Sequence, residues 1–167
     1  MHPTRLRRFS HFDYTGPHRY SLTLCAFQRE SIFTNADLVS VVVEQILRAA
    51  TDCGVEILAY CFMPDHVHVV AQGVSATGSL PDFVQRAKQR AGFHGKRLVG
   101  RSIWQTGYFE RVLRENEDTR DVVAYVLANP VRAGLVAKPD DWPFSGSGVC
   151  SFAELLEYVQ DRSKQTM

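Results

Sequence analysis

The chain has 167 residues, 45% hydrophobic and 22% charged, with a formal net charge of +1. This is one domain of ordinary size with enough apolar residues for a core, which excludes a disordered chain. So small a net charge also excludes a global field that draws the protein to nucleic acid, so any such attraction must be local.

Residues 1–18 read as a basic, irregular arm carrying Arg5, Arg7 and Arg8, with no apolar stretch behind them to make a secretory signal. Arg19 to Ala26 alternates and predicts a first strand. Asn35 is a good N-cap, and Leu38, Val41, Val42, Gln45, Ile46 and Ala49 follow at helical spacing up to the stop at Gly54. Val55 to Met63 is β-prone, Pro64-Asp65 is a turn, and His66 to Gln72 is β-prone again, which predicts an antiparallel hairpin. Pro81 opens a helix from Asp82 to about Phe93. Gly92 to Arg101 reads as a loop rich in glycine and cations. Phe109 to Arg114 predicts a fourth strand. Asn116, with Glu117 and Asp118, marks the start of a helix that reaches Ala128 and ends at Pro130. A short helical turn closes at Gly134, Pro139 to Gly148 is loop, and Ser151 to Arg162 is a terminal helix.

This order predicts an α+β, ferredoxin-like antiparallel sheet of four or five strands, with helices on one face plus an added helix carrying Tyr125. The expected organisation is a basic arm (1–18), a single catalytic domain (19–148) and a C-terminal helix or tail (149–167). Cys25, Cys53, Cys61 and Cys150 form no C-x-x-C pair and read as reduced residues of a cytoplasmic protein. No run approaches the length of a membrane span.

Two stretches carry chemistry. In the hairpin, His66 and His68 alternate with Val67 and Val69, so the two imidazoles share one face of a strand. Two readings are open there: a pair of metal ligands that needs a further donor, or two polar residues on a solvated sheet face. About 60 residues later, Tyr125 and Asn129 stand one turn apart on one face of a helix. Alone, they also read as a packed tyrosine and an amide ending a helix before proline. Together the stretches make one site. A tyrosine hydroxyl, with a pKa near ~10, attacks a phosphodiester only if the phosphate is polarised and held in line. A divalent cation on His66 and His68 does this, with the Asn129 amide oxygen as a further ligand.

Charge is unevenly distributed. Arg86, Lys88, Arg90, Lys96, Arg97, Arg101, Arg111 and Arg114 fall in one stretch with Glu110 as its acid, which predicts a phosphate-binding face. Phe93, Trp104, Tyr108 and Phe109 are interleaved with it, either as base-stacking rings or as ordinary core.

Met-Pro-Asp-His-Val-His followed by Tyr-x-x-x-Asn-Pro-Val-Arg-Ala-Gly-Leu-Val resembles the single-tyrosine HUH transposases, and among them the REP-associated tyrosine transposases. The resemblance runs from Tyr20 to about Ser147 and includes Trp104-Gln105-Thr106-Gly107-Tyr108 and Trp142-Pro143-Phe144-Ser145. It implies that His66, His68 and Asn129 hold magnesium or manganese, and that Tyr125 forms a 5′-phosphotyrosine link to single-stranded DNA. It implies as substrate a REP-type hairpin with a flanking guide sequence, nicked and rejoined by a monomer or homodimer. The chain departs from the family at Asp65, where asparagine is frequent, and at Val126-Leu127-Ala128. Two other functions compete. One is a hairpin-binding protein of the same fold without chemistry, against which the four intact site residues speak. The other is a zinc hydrolase, whose usual barrels need roughly 250 residues.

Overall fold

The computed structural model describes residues 12–161. Arg5, Arg7 and Arg8 of the expected basic arm lie outside the described residues. The main elements are β1 (Arg19–Cys25), α1 (Ala36–Asp52), β2 (Val55–Met63), β3 (His66–Gly73), α2 (Leu80–Val99), β4 (Phe109–Val112), α3 (Thr119–Leu127), α4 (Asn129–Arg132), β5 (Ser145–Gly146) and α5 (Phe152–Gln160). All strand pairs are antiparallel, in the order β4-β1-β3-β2-β5. This is the ferredoxin-like order with one short strand added at the β2 edge.

Each sheet face carries its own core. Leu22 and Leu24 of β1, Val67, Val69 and Ala71 of β3, and Ile57 of β2 pack under α1 and α2. Val70, Ala59, Cys61 and Met63 pack on the opposite face against Val122, Val123, Val126 and Leu127 of α3 and Leu155 of α5. So α1 and α2 cover one face, and the added tyrosine helix covers the other. His66, His68 and Val70 alternate onto that second face.

The change of face along β2 comes from a bulge. Ile57 pairs with Ala71, but Ala59 pairs with Val70, which leaves Leu58 as the extra residue. One extra residue reverses the direction of every side chain after it. Val55 and Ile57 therefore face α1, whereas Cys61 and Met63 stand beside His68 and His66. The tight hairpin holds, with Met63 opposite His66 and only Pro64 and Asp65 between them.

Three local expectations need correction. First, Gly92 to Val99 is not loop, because α2 runs unbroken from Leu80 to Val99. Its glycines serve close packing. A Cβ on Gly95 would stand 2.7 Å from Ile103 Cδ1, and one on Gly92 would touch Trp104. The helix stops at Gly100, whose φ of 84° is left-handed. Second, the cap of α3 is Asp118, whose side chain accepts from the Arg120 amide, and not Asn116. Third, the loop after Pro139 contains β5, paired with Tyr60 and Cys61. The Asn35 cap of α1 is as predicted, accepting from the amides of Asp37 and Leu38.

Arg19 ties the sheet to the start of α3. Its guanidinium donates to the carbonyl oxygens of Arg114, Glu115 and Glu117 and to the Thr119 hydroxyl. No helix among the described residues is long and apolar enough to cross a membrane.

Candidate active site

The two imidazoles meet edge to face, with Nε2 of His66 3.0 Å from Nε2 of His68. Their other nitrogens are held from behind. His66 Nδ1 donates to Asp65 Oδ1 at 2.6 Å, and His68 Nδ1 lies 3.2 Å from the Thr23 hydroxyl across the β1–β3 pairing. Arg29 donates to the second oxygen of Asp65 at 2.8 Å and to the Cys25 sulfur at 3.1 Å. Burial opposes ionisation of Asp65, but the bonds from His66 and Arg29 outweigh it and hold the carboxyl below its ordinary range. Asp65 is therefore an anion, it can only accept, and His66 must carry its proton on Nδ1. The His66 Nε2 faces His68.

Burial pushes the His68 pKa down to about 4, helped by the positive charges of His66, Arg132 and Arg29. His68 is therefore a neutral imidazole at neutral pH. In that form one proton lies between the two Nε2 atoms, and the Thr23 hydroxyl serves either tautomer of His68. A cation fits in place of that proton. Both Nε2 atoms point at one spot, and a carboxylate or hydroxyl braces each ring as metal-ligating histidines require. No cluster of three or more His, Cys, Asp or Glu converges among the described residues. Among the described residues, further donors would be amide oxygens, with water or substrate oxygens beside them.

On α3, Val122, Val123, Val126 and Leu127 are buried against the histidine face of the sheet. Tyr125 is 65% exposed. The backbone beyond it is shaped by Pro130, which offers no N–H to the Val126 carbonyl one turn back. Asn129 Nδ2 donates to that carbonyl instead, at 3.0 Å. This fixes the amide with Oδ1 outward, where it accepts from Arg132 at 2.7 Å. The Arg132 guanidinium also covers the Tyr125 ring, 3.8 Å from its centroid.

The structure does not gather the eight predicted cations at this site. Arg86, Lys88, Arg90, Lys96 and Arg97 belong to α2, on the other side of the sheet from the histidines. Arg90 pairs with Asp52 and Arg101 with Glu30. Lys88 is half-buried and donates to the carbonyls of Gln105 and Gly107, and burial lowers its pKa. Arg111 shares the histidine face, in the row of Ser21 and Val70, and pairs with Glu117; Arg114 follows it, exposed. Of the aromatic residues, Trp104 is core, Phe93 is exposed on α2, and Phe109 lies half-buried in the row of Thr23 and His68. Sequence reasoning missed Thr23, Arg29 and Arg132 as site residues. Arg132 had a signal, standing four plus three residues beyond Tyr125 on one helical face. Thr23 and Arg29 had none, because strand pairing alone brings them to the histidines.

The family model described as "Transposase IS200 like" matches residues 15–129, more than half of the chain and every element from the first strand to Asn129. The chain belongs to the IS200-like transposase family. Within that family it is 31% identical to the REP-associated tyrosine transposase of Escherichia coli K12 over 104 residues, 60% of this chain and 59% of the relative. A Haemophilus influenzae protein is 30% identical over 101 residues, 54% of this chain and 57% of that one. The chain thus spans less than three fifths of the length of either curated relative. Its fold matches a REP-associated tyrosine transposase solved bound to a REP hairpin, with a TM-score of 0.68 at 22% identity, over 84% of this chain and 82% of that one. In this chain the histidine pair and the tyrosine helix lie on one face of the sheet.

Proposed function

We propose that the protein nicks and rejoins single-stranded DNA beside a REP-type hairpin through a 5′-phosphotyrosine intermediate on Tyr125. The observation that carries this reading is the pair of Nε2 atoms 3.0 Å apart, braced from behind and set on the sheet face against which the tyrosine helix packs. His66, His68 and Asn129 Oδ1 would hold a magnesium or manganese ion, which would polarise the scissile phosphate.

The chain's own residues do the rest. The Tyr125 oxygen forms a bond to phosphorus while the bond from phosphorus to the 3′ oxygen breaks. The phenolic proton leaves to solvent, and the released 3′ oxygen takes one up. The new diester keeps the energy of the old one, so a 3′ hydroxyl returning along the same line rejoins the strand. Asp65 and Thr23 keep the imidazoles turned toward the phosphate position. The exposure of Tyr125 leaves its hydroxyl open to a strand arriving from solvent. Arg111 and Phe109, on the histidine face of the β4 edge, suit a flanking phosphate and base. Of the other predicted cations, Arg86, Lys96, Arg97 and Arg114 are exposed and free to take hairpin backbone as the duplex wraps the domain. The hairpin partner rests on the relative solved with a REP hairpin. A protein acting on DNA in this way works in the cytoplasm, as a monomer or homodimer.

The test is a labelled single-stranded hairpin from the DNA flanking the gene, incubated with protein and manganese and run on a denaturing gel. An adduct in wild type that is lost in Tyr125→Phe and His68→Ala is the expected result. Tight binding without an adduct over several hairpins and metals sinks the enzyme reading in favour of a hairpin-binding protein. An adduct that survives Tyr125→Phe names another nucleophile.

A further inference from the structure

Asn129 Oδ1 is the oxygen that the proposed function assigns to the cation, yet in this structure it is bonded to Arg132 at 2.7 Å. The amide cannot be turned to escape this. Its Nδ2 is held by the Val126 carbonyl that Pro130 leaves unserved, so a flipped amide would set oxygen against oxygen. The same guanidinium lies over the Tyr125 ring. One exposed arginine therefore touches the nucleophile's ring and the oxygen donor.

We propose that Arg132 is a latch: in the DNA-free protein it occupies Asn129 Oδ1 and keeps the cation site incomplete, and a DNA phosphate draws it off and completes the site. This deepens the proposed function and rests on it. The exchange is favoured by charge. Both present partners of the guanidinium, an amide oxygen and an aromatic ring, are uncharged, and a phosphate diester offers a full negative charge and two acceptor oxygens in the geometry that arginine prefers. While the latch is closed, the third donor is occupied. When it opens, one movement gives the phosphate a cationic partner and frees the amide oxygen. The latch makes cation binding and DNA binding mutually reinforcing, a coupling that must be reciprocal. Arg132 is thus a positioning residue that acts through Asn129 and Tyr125.

The experiment measures Mn2+ affinity by the loss of the free-ion electron paramagnetic resonance signal. It uses full-length protein in the Tyr125→Phe background, which keeps the ring and blocks cleavage. Arg132→Ala should tighten Mn2+ binding to the DNA-free protein by about tenfold, the scale of one charge-assisted hydrogen bond. A cleavable-sequence hairpin should tighten Mn2+ binding in the Arg132 protein and add little in Arg132→Ala. In an Asn129→Ala background the same Arg132→Ala change should have little effect, which separates the latch from simple charge repulsion. An unchanged or weakened Mn2+ affinity in Arg132→Ala overturns the latch, as does a tightening that persists without Asn129. Adduct formation by wild type stands apart from these readings. If it is present and the latch fails, the proposed function survives alone; if wild type forms no adduct and binds no Mn2+, both fall.

Discussion

His68 should make the protein acid-labile in a defined window. Its pKa falls from 6.5 to about 4 in the folded chain, first because the ring is desolvated and then because His66, Arg132 and Arg29 oppose a second charge. Below pH 6.5 the unfolded chain binds a proton that the folded site refuses, so acid favours unfolding. The contribution is complete above pH 6.5 and is lost as the pH falls toward 4. By pH 5 the loss amounts to about 2 kcal/mol, from a pKa difference of about 2.5 at 1.36 kcal/mol per unit, less the part not yet titrated. With an m-value of about 2 kcal/mol/M, the urea midpoint should drop by about 1 M between pH 7 and pH 5 through this group alone. The assay is urea unfolding at both pH values in the presence of a chelator, for wild type and His68→Gln. Other titrating groups are common to both proteins, so the difference between the two drops isolates His68. Wild type should lose about 2 kcal/mol more than the variant. Equal losses would refute the placement of His68 as a neutral, desolvated imidazole.

Tyr125→Phe should remove the covalent adduct and leave the unfolding free energy within about 0.5 kcal/mol of wild type, because the ring is exposed and is retained. Thr23→Val removes the brace behind His68 and should weaken Mn2+ binding by about 10- to 100-fold in calorimetric titration, with the fold intact by circular dichroism. Pro130→Ala restores an N–H that competes with Asn129 Nδ2 for the Val126 carbonyl. The melting temperature should hold or rise while the rate of adduct formation falls several-fold; an unchanged rate would show that the amide needs no such tether. Gly95→Ala places a methyl group 2.7 Å from Ile103 Cδ1. Overpacking of about 1–3 kcal/mol should outweigh the gain in helix propensity of about 1 kcal/mol, read as a lower urea midpoint.

What local chemistry decides was legible in the residues. Alternation put His66 and His68 on one face and Val67 and Val69 on the other, and the structure keeps both sets apart. Helical spacing put Tyr125 and Asn129 one turn apart, with Arg132, missed in the sequence, less than a turn beyond. The Asn35 cap, the two-residue hairpin and the order of strands and helices follow from turn and capping rules that act within a few residues. Glycine misled, because a glycine-rich run looks the same whether it bends the chain or lets two elements touch. Gly92 and Gly95 do the second, and their partners Trp104 and Ile103 come from beyond the helix they sit in.

The sequence by itself determined the chemistry of the site and the local geometry of each half of it, since periods of two and of 3.6 residues are properties of the backbone alone. Only the tertiary structure decided which groups share a face. The bulge at Leu58 reverses β2 and brings Cys61 and Met63 beside the histidines, and no feature of so uniformly apolar a strand marks where the extra residue falls. Pairing of β1 with β3 sets Thr23 against His68, and the packing of α3 on the same face turns the tyrosine helix to that side. The run of cations was divided because α2 packs on the opposite face, under α1. Charge clustered along a chain becomes a surface patch only if folding keeps those residues on one side of the sheet.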